Sequence, residues 1–287
     1  MTEHTPSSLI VTFFGAYGRA ELDGRVPVAA LIRLMGAVDV DPQSVRSAVS
    51  RLKRRELLVP DRVGGAAAYA LSDDARQLLA DGDRRIYGGP GSGPGSGSGP
   101  RSGSAEDDGD GSWVLAVFSV PETERHKRHL LRSRLARLGF GSAAPGVWIA
   151  PAHVQEEARH TLRRLELDSY VDLFHGTHLG FEPTATAVRR WWDLDAIAGL
   201  HRTFLDAHEP VLDRWTRRPD VPPRDAFPDY LRALDSWRRL PYADPGLPTA
   251  LLPPDWPGAR ASQVFTALHQ RLHAAGAAFV RAAPGPA

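Results

Sequence analysis

The chain contains no cysteine. That excludes a disulfide framework, a thiolate zinc site and a cysteine nucleophile. Lysine is almost absent as well: Lys53 and Lys127 are the only two, so positive charge rests on arginine. No stretch approaches the roughly 20 apolar residues that cross a bilayer. The opening residues Met1 to Ser8 are polar and carry no apolar signal core. These absences point to a cytoplasmic protein with no membrane partner. No GxxxxGK phosphate loop and no GxSxG elbow occurs. The formal net charge of +1 excludes a globally basic chain, so any affinity for nucleic acid must come from local patches. What is present is ample for buried cores: 287 residues, of which 42% are hydrophobic, fit two or three domains.

The most informative stretch runs from Leu31 to Leu71, which reads as helix, tight turn, basic helix and short β-hairpin. The basic helix is expected over 41–56. Asp41 can cap its first turn, and Pro42 suits the first helical position, where its missing N–H costs nothing. Val45, Val49 and Leu52 form one apolar stripe at i, i+4 and i+7, while Gln43, Arg46, Ser47, Ser50 and Arg54 project from the other side. An arginine binds guanine through two hydrogen bonds, a glutamine does the same with adenine, and serines allow close approach. Arg51, Lys53 and Arg55 flank that face and suit phosphates, which fix register without reading sequence. An isolated basic helix can equally be a solvated face, so its neighbours matter. Val28 to Met35 is a second amphipathic segment, joined by the short connection Gly36 to Val40 as a helix-turn-helix requires. The runs Leu57-Leu58-Val59 and Tyr69-Ala70-Leu71 flank a turn at Gly64-Gly65, giving a hairpin that reads as a wing. Arg62 near its tip is a candidate for phosphate or minor-groove contact, or else an ordinary surface arginine.

Residues 88–111 are dominated by glycine, serine and proline, with an acidic close at Glu106-Asp107-Asp108. This composition reads as a flexible linker and as a coil would span about 25–30 Å. It follows a helix expected from Asp73 to Tyr87. Beyond it strands and helices alternate: Trp113 to Val120, Gly146 to Ala150 and Tyr170 to Phe174 read as strands, Glu122 to Leu138 and Val154 to Leu165 as helices. From Trp191 onward the pattern is helical, with Leu194, Ile197, Leu200 and Leu205 on one stripe, then Tyr230 to Trp237 and Val264 to Leu272. The expected fold is therefore α+β: an N-terminal winged helix-turn-helix domain (1–87), the linker (88–111), a central ferredoxin-like domain (112–182) and a C-terminal helical domain (183–287).

Three blocks carry a family resemblance. The first is Ser8-Leu9-Ile10-Val11-Thr12 with Val45-Arg46-Ser47-Ala48-Val49-Ser50-Arg51-Leu52. The second is Phe118-Ser119-Val120-Pro121-Glu122 with Arg125 and Arg128, continuing through Leu138-Gly139-Phe140-Gly141 to Gly146-Val147-Trp148-Ile149-Ala150-Pro151. The third, the most distinctive, is Trp237-Arg238-Arg239, Asp244-Pro245-Gly246-Leu247-Pro248 and Leu251-Leu252-Pro253-Pro254-Asp255-Trp256-Pro257-Gly258. In these blocks the chain resembles the PaaX-type transcriptional repressors of phenylacetate degradation. The resemblance implies a homodimeric repressor that binds double-stranded operator DNA and leaves it when an acyl-CoA, phenylacetyl-CoA in the best-known members, binds beyond the DNA-binding domain. The long glycine-serine linker departs from the family pattern. With so loose a tether, coupling between ligand and DNA must run through other contacts.

A CoA-type effector would find guanidinium groups on the helix 122–138, where Arg125, Arg128 and Arg132 are the candidate phosphate ligands and Trp148 a candidate aromatic wall. Lys127, Arg134 and Arg137 share that helix. The alternatives are a solvated face, or pairing with Glu122, Glu124, Glu156 and Glu157. Trp191, Trp192, Trp237 and Trp256 are aromatic by type but suit cores or domain interfaces equally. No cofactor and no enzymatic activity are expected. A ferredoxin-like domain also resembles the small CRISPR-associated nucleases, which hold a metal with an aspartate at the end of the first strand. Here that strand ends Phe118-Ser119-Val120-Pro121, without a carboxylate. The pairs His126/His129 and His175/His178 lack a third metal ligand at a telling spacing. The alternative function is a winged-helix adaptor, or a regulator sensing a ligand other than a CoA thioester.

Overall fold

The computed structural model describes residues 4–88 and 111–283. The linker expected over 88–111 lies, apart from Gly88 and Gly111, outside the described residues. The elements in chain order are α1 (Pro6–Phe13), α2 (Arg19–Glu21), β1 (Arg25–Pro27), α3 (Val28–Gly36), α4 (Pro42–Arg54), β2 (Leu58–Val63), β3 (Ala66–Leu71) and α5 (Asp73–Tyr87). There follow β4 (Ser112–Phe118), α6 (Arg125–Arg137), β5 (Gly141–Ala144), β6 (Val147–Pro151), α7 (Gln155–Arg164) and β7 (Val171–Thr177). The chain then continues through α8 (Thr184–Trp191), α9 (Leu194–Thr216), α10 (Pro223–Trp237), α11 (Leu240–Ala243) and α12 (Gly258–Arg281). This is a mixed α+β chain with two antiparallel sheets.

The sequence suggests three successive domains, but packing divides the chain otherwise, into two compact units. The first comprises Met1–Asp83, His201–Arg239 and Gly258–Ala287; the second comprises Arg84–Leu200 and Leu240–Pro257. Residues 183–287 are divided between the two. The reason is where their apolar faces go. In the first unit, Phe13 of α1 and Tyr17 stand 6.4 and 5.7 Å from Phe227 of α10, and Tyr17 stacks on His273 of α12 at 5.2 Å. All three of Phe13, Tyr17 and Phe227 are fully buried, each contributing roughly 1.5–3 kcal/mol. Without α10 and α12 that face of the N-terminal segment would meet water. In the second unit, residues 240–257 supply Leu247, Leu251, Leu252 and Trp256 to a core with Trp113 and Ile149.

The first unit's sheet has the order β1-β3-β2. Its β2–β3 hairpin runs in unbroken register from Leu58↔Leu71 to Val63↔Ala66. Gly64 and Gly65 both take positive φ, 55° and 83°, as a two-residue hairpin turn of matching twist requires.

The second unit's sheet has the order β5-β6-β4-β7, all neighbours antiparallel, with chain order β-α-β-β-α-β. Alternation sets its two faces. Val114, Ala116, Trp148 and Ala150 pack on Leu131 and Leu135 of α6 and on Ala158 and Leu162 of α7. Trp113 and Ile149 face the other way, onto Val188 of α8, Trp192, and Leu194 and Ile197 of α9. Strand β5 escapes the sequence reading because Gly141-Ser142-Ala143-Ala144 holds no strand former. In α9 the expected stripe also differs: Leu200 is 47% exposed, and the buried face continues through His201, Phe204 and His208.

Candidate nucleic-acid interface

Helix α4 begins as its sequence dictates. Asp41 is extended and its Oδ1 accepts from the Ser44 backbone N–H at 2.9 Å, with Pro42 in the first turn. The hydrogen bonds from Ser44 hold the Asp41 carboxyl below its ordinary range. Val45, Ala48, Val49 and Leu52 are buried, which leaves Gln43, Arg46, Ser47, Ser50, Arg51, Lys53, Arg54 and Arg55 exposed. At 100° per residue, Gln43, Ser47, Ser50 and Arg54 share the centre of that face. Arg46 and Lys53 lie on one flank, Arg51 and Arg55 on the other. Helix α3 precedes it, and the connection passes through Asp39, whose φ is 63°.

The charge state of this face sets it apart. Several arginines elsewhere in the first unit are matched: Arg19 to Asp83 at 2.7 Å, Arg25 to Asp61 at 3.3 Å, Arg214 to Asp229 at 2.6 Å, Arg232 to Asp39 at 2.6 Å. Among the described residues, the guanidinium groups of Arg46, Arg51, Arg54 and Arg55 have no hydrogen-bonding or acidic partner. Four positive charges without counter-charge in a chain of net charge +1 are a local field for a polyanion. Lys53 reaches toward β3, its Nζ 5.9 Å from the Tyr69 ring centre. There a crevice of about 220 Å³ opens between Val28 and Ile32 of α3, Arg46, Ser50 and Arg54 of α4, and Tyr69. Arg62 is exposed on β2 next to the Gly64-Gly65 turn, its guanidinium only 3.5 Å from the Gly65 carbonyl.

Helix α1, which packs on both α4 and α10, is held by a buried carboxylate. The Asp235 side chain has no exposure. It accepts from Ser8 Oγ at 2.5 Å, Thr12 Oγ1 at 2.7 Å and His4 Nδ1 at 2.9 Å, with Arg238 Nε at 3.3 Å. Because an ionised carboxylate only accepts, His4 Nδ1 carries its proton. Burial by itself would raise the Asp235 carboxyl. Hydrogen bonds from His4, Ser8 and Thr12 and the charge of Arg238 outweigh it and hold the group down to about 2. Arg232, on the same helix, ties down Asp39 of the α3–α4 turn.

The second unit holds a cavity of about 500 Å³ lined by Phe118, Val120, Arg128, Arg132, the β5–β6 turn and Trp148. Ligand pockets of this size are ordinary. Arg128 is already engaged, with Glu122 at 2.9 Å and the Val120 carbonyl at 2.7 Å. Arg132 is exposed and has no partner among the described residues. Arg125, the third candidate, does not line the cavity. Lys127 is committed elsewhere: it pairs with Glu124 at 2.8 Å and donates to Tyr170 Oη at 2.7 Å, which raises its pKa. The other tryptophans are structural. Trp237 stacks on Phe265 at 4.8 Å, and Trp191 and Trp192 pack on Trp113. Among the described residues no three histidine or acidic groups stand together as metal ligands.

Three family descriptions match consecutive stretches of the chain: the PaaX-like protein over residues 5–75, the PaaX protein central Cas2-like domain over 106–188, and the PaaX-like protein C-terminal domain over 192–282. The chain belongs to the PaaX family. It is 24% identical over 278 residues to the transcriptional repressor PaaX of Escherichia coli (strain K12), covering 96% of this chain and 82% of the relative. Its fold is similar to that of the uncharacterized protein Rv0674 from Mycobacterium tuberculosis, with a TM-score of 0.53 and 21% identity over 87% of this chain and 91% of the other. Within this PaaX-family chain, the face of α4 read from sequence comes together as one surface with Lys53. The cavity gathers Arg128, Arg132 and Trp148. Tyr69 and Asp235 escaped the sequence reading. Tyr69 reads only as a strand former, and the Ser8 and Thr12 hydroxyls that bond Asp235 lie more than 220 positions away.

Proposed function

We propose that this protein is a cytoplasmic, DNA-binding transcriptional repressor, working as a homodimer on double-stranded operator DNA. In this reading α3, α4 and the β2–β3 hairpin act as a winged helix-turn-helix. Helix α4 enters the major groove with Gln43, Arg46, Ser47, Ser50 and Arg54 toward base edges, while Arg51, Lys53 and Arg55 meet phosphates. Arg62 on the hairpin reaches an adjacent phosphate or the minor groove. The observation that carries the reading is the row of unmatched guanidinium groups on α4, in a unit where Arg19, Arg25, Arg214 and Arg232 are each paired with an aspartate.

The second unit, ferredoxin-like in its strand order, serves as the effector domain. Its cavity combines a free guanidinium at Arg132 with Trp148 and Phe118, a combination suited to an anionic aromatic ligand such as an aryl-CoA, phenylacetyl-CoA being the first candidate. Binding there favours a DNA-incompetent arrangement of the dimer. No carboxylate stands at the end of β4, where Phe118-Ser119-Val120-Pro121 follows, so a metal-dependent nuclease reading lacks its ligand. The test is a fluorescence-anisotropy titration against the DNA upstream of its own gene at two salt concentrations, with and without phenylacetyl-CoA. Salt-sensitive binding abolished by the thioester supports the whole reading. Binding that survives phenylacetyl-CoA leaves a regulator with another effector, and no specific binding leaves an adaptor.

A further inference from the structure

With lysine reduced to Lys53 and Lys127, the two side-chain amines of the protein stand in direct contrast. Lys127 is committed. Its Nζ pairs with Glu124 at 2.8 Å, donates to Tyr170 Oη at 2.7 Å and lies 4.8 Å from the Tyr170 ring centre, and its pKa is raised by the bonds to Glu124 and Tyr170. An ammonium held in this way offers no lone pair to an electrophile. Lys53 is the opposite case. It is exposed, its Nζ has no acidic or hydrogen-bonding partner among the described residues, and it stands 5.9 Å from the centre of the Tyr69 ring.

Two features of its surroundings select a reagent. The first is charge. Arg46 and Arg54 border the same crevice as Lys53, and neither has a counter-charge among the described residues, so a donor that carries phosphates is drawn there. The second is the crevice itself. Val28 and Ile32 of α3, Val45 and Val49 of α4 and the Tyr69 ring give it apolar walls. Its volume of about 220 Å³ exceeds the roughly 150 Å³ of a cavity that holds benzene, so a small acyl group fits beside Nζ. An acyl group on a phosphate-rich carrier is an acyl-CoA thioester.

We propose that Lys53 is an acylation site, modified by acyl-CoA thioesters held against α4, and that the modification weakens the DNA-binding face. The lone pair of the unprotonated amine attacks the thioester carbonyl. A C–N bond forms, the C–S bond breaks, CoA leaves as its thiolate, and the proton lost by nitrogen passes to that thiolate or to water. Neither oxidant nor reductant is needed. Holding the donor's phosphates on Arg46 and Arg54 turns the encounter into an effectively intramolecular one. The product is a neutral amide whose acyl group lies in the crevice. A guanidinium stays protonated and keeps its charge, so Lys53 is the one position on α4 where acyl transfer removes a positive charge. The consequence for DNA rests on the proposed function, whereas the chemistry at Nζ does not.

The full chain is incubated at mildly alkaline pH with acetyl-CoA, and in parallel with the S-acetyl thioester of N-acetylcysteamine, which has the same reacting group and no phosphates. Acetylated positions are mapped by mass spectrometry. Lys53 is expected to be modified at least about tenfold more than Lys127, and at least about fivefold more by acetyl-CoA than by the phosphate-free thioester. In Arg46→Ala/Arg54→Ala the advantage of acetyl-CoA disappears. Equal labelling of the two lysines, or equal labelling of Lys53 by the two donors, overturns the site. The acetylated protein is then titrated with operator DNA, where its affinity is expected to fall about tenfold and its salt slope by about one. Lys53→Arg, treated identically, loses nothing. Selectively acetylated protein that binds operator DNA as before overturns the regulatory role. Unmodified protein that binds no DNA overturns that role together with the repressor reading, while the mass map still decides the site.

Discussion

Thr12 on α1 donates its hydroxyl hydrogen to the fully buried carboxylate of Asp235 on α10, 2.7 Å away in space and 223 positions away in sequence. This bond and its neighbours from Ser8 and His4 fasten the helix against which α4 packs. Removing the carboxylate leaves Arg238 and two hydroxyls without their acceptor. Asp235→Ala is expected to cost about 3 kcal/mol in urea unfolding and to weaken DNA binding, although no atom of Asp235 faces α4's outer side. Full operator affinity in this variant would show that α1 positions nothing.

Acid should unfold the first unit in two stages. His208 is buried and bonded to Ser236 Oγ at 2.9 Å. Burial, then the charge of His4, pushes its pKa down to about 4 from 6.5. A histidine kept neutral in the fold takes up its proton on unfolding. Its contribution is therefore complete above pH 6.5 and declines as pH falls toward 4, by about 3 kcal/mol at 1.36 kcal/mol per pH unit. Asp235, held down to about 2 from 3.8, contributes in full above pH 4 and is lost between pH 4 and 2. Urea midpoints across this range read both limbs, and His208→Gln should flatten the upper one only.

Arg46→Ala and Arg54→Ala should each cost operator binding about 1–3 kcal/mol and relax sequence preference. Arg51→Ala or Arg55→Ala should weaken specific and non-specific DNA alike and lower the salt slope by about one. Because these side chains have no partners among the described residues, thermal melts should stay unchanged. Salt-dependent anisotropy separates the two classes.

Arg132→Ala should raise the phenylacetyl-CoA concentration needed for release about tenfold while ligand-free DNA affinity stays constant. Arg125→Ala, outside the cavity, should have little effect. Equal effects of the two would remove the cavity from the account.

Gly141→Ala places a Cβ 2.5 Å from the Trp191 carbonyl oxygen and 2.6 Å from the Trp192 ring. Backbone cannot yield as a flexible side chain does, so the second unit should lose roughly 2 kcal/mol, measurable as a shift in its tryptophan-monitored melt.

What sequence made legible was local. Asp41-Pro42 announced α4, Gly64-Gly65 announced the hairpin, and the 3.6-residue period separated Val45 and Leu52 from Arg46 and Arg54. Where it failed, the determinant was distant or chemically quiet. Strand β5 forms from Gly141-Ser142-Ala143-Ala144 because its neighbours β6 and α8 shape it. The core face of α9 passes through His201 and His208, which no hydrophobic count finds, while the apolar Leu200 faces out. The cavity appears only when Arg128, Arg132 and Trp148, on α6 and β6, are brought together. Nor does the sequence show that Phe227 of α10 and His273 of α12 lie against Tyr17.

That interleaving sets a timetable for synthesis. Tyr17 and Phe13 leave the ribosome early, but α10 and α12, which cover them, come more than 200 residues later. At translation rates of about 5–20 residues per second the nascent head waits roughly 10–50 seconds with its aromatic face bare. The first unit, proposed above to read DNA, is thus complete only once α12 has been made. A truncated product of an interrupted message would carry α4 without the helices that cover Phe13 and Tyr17.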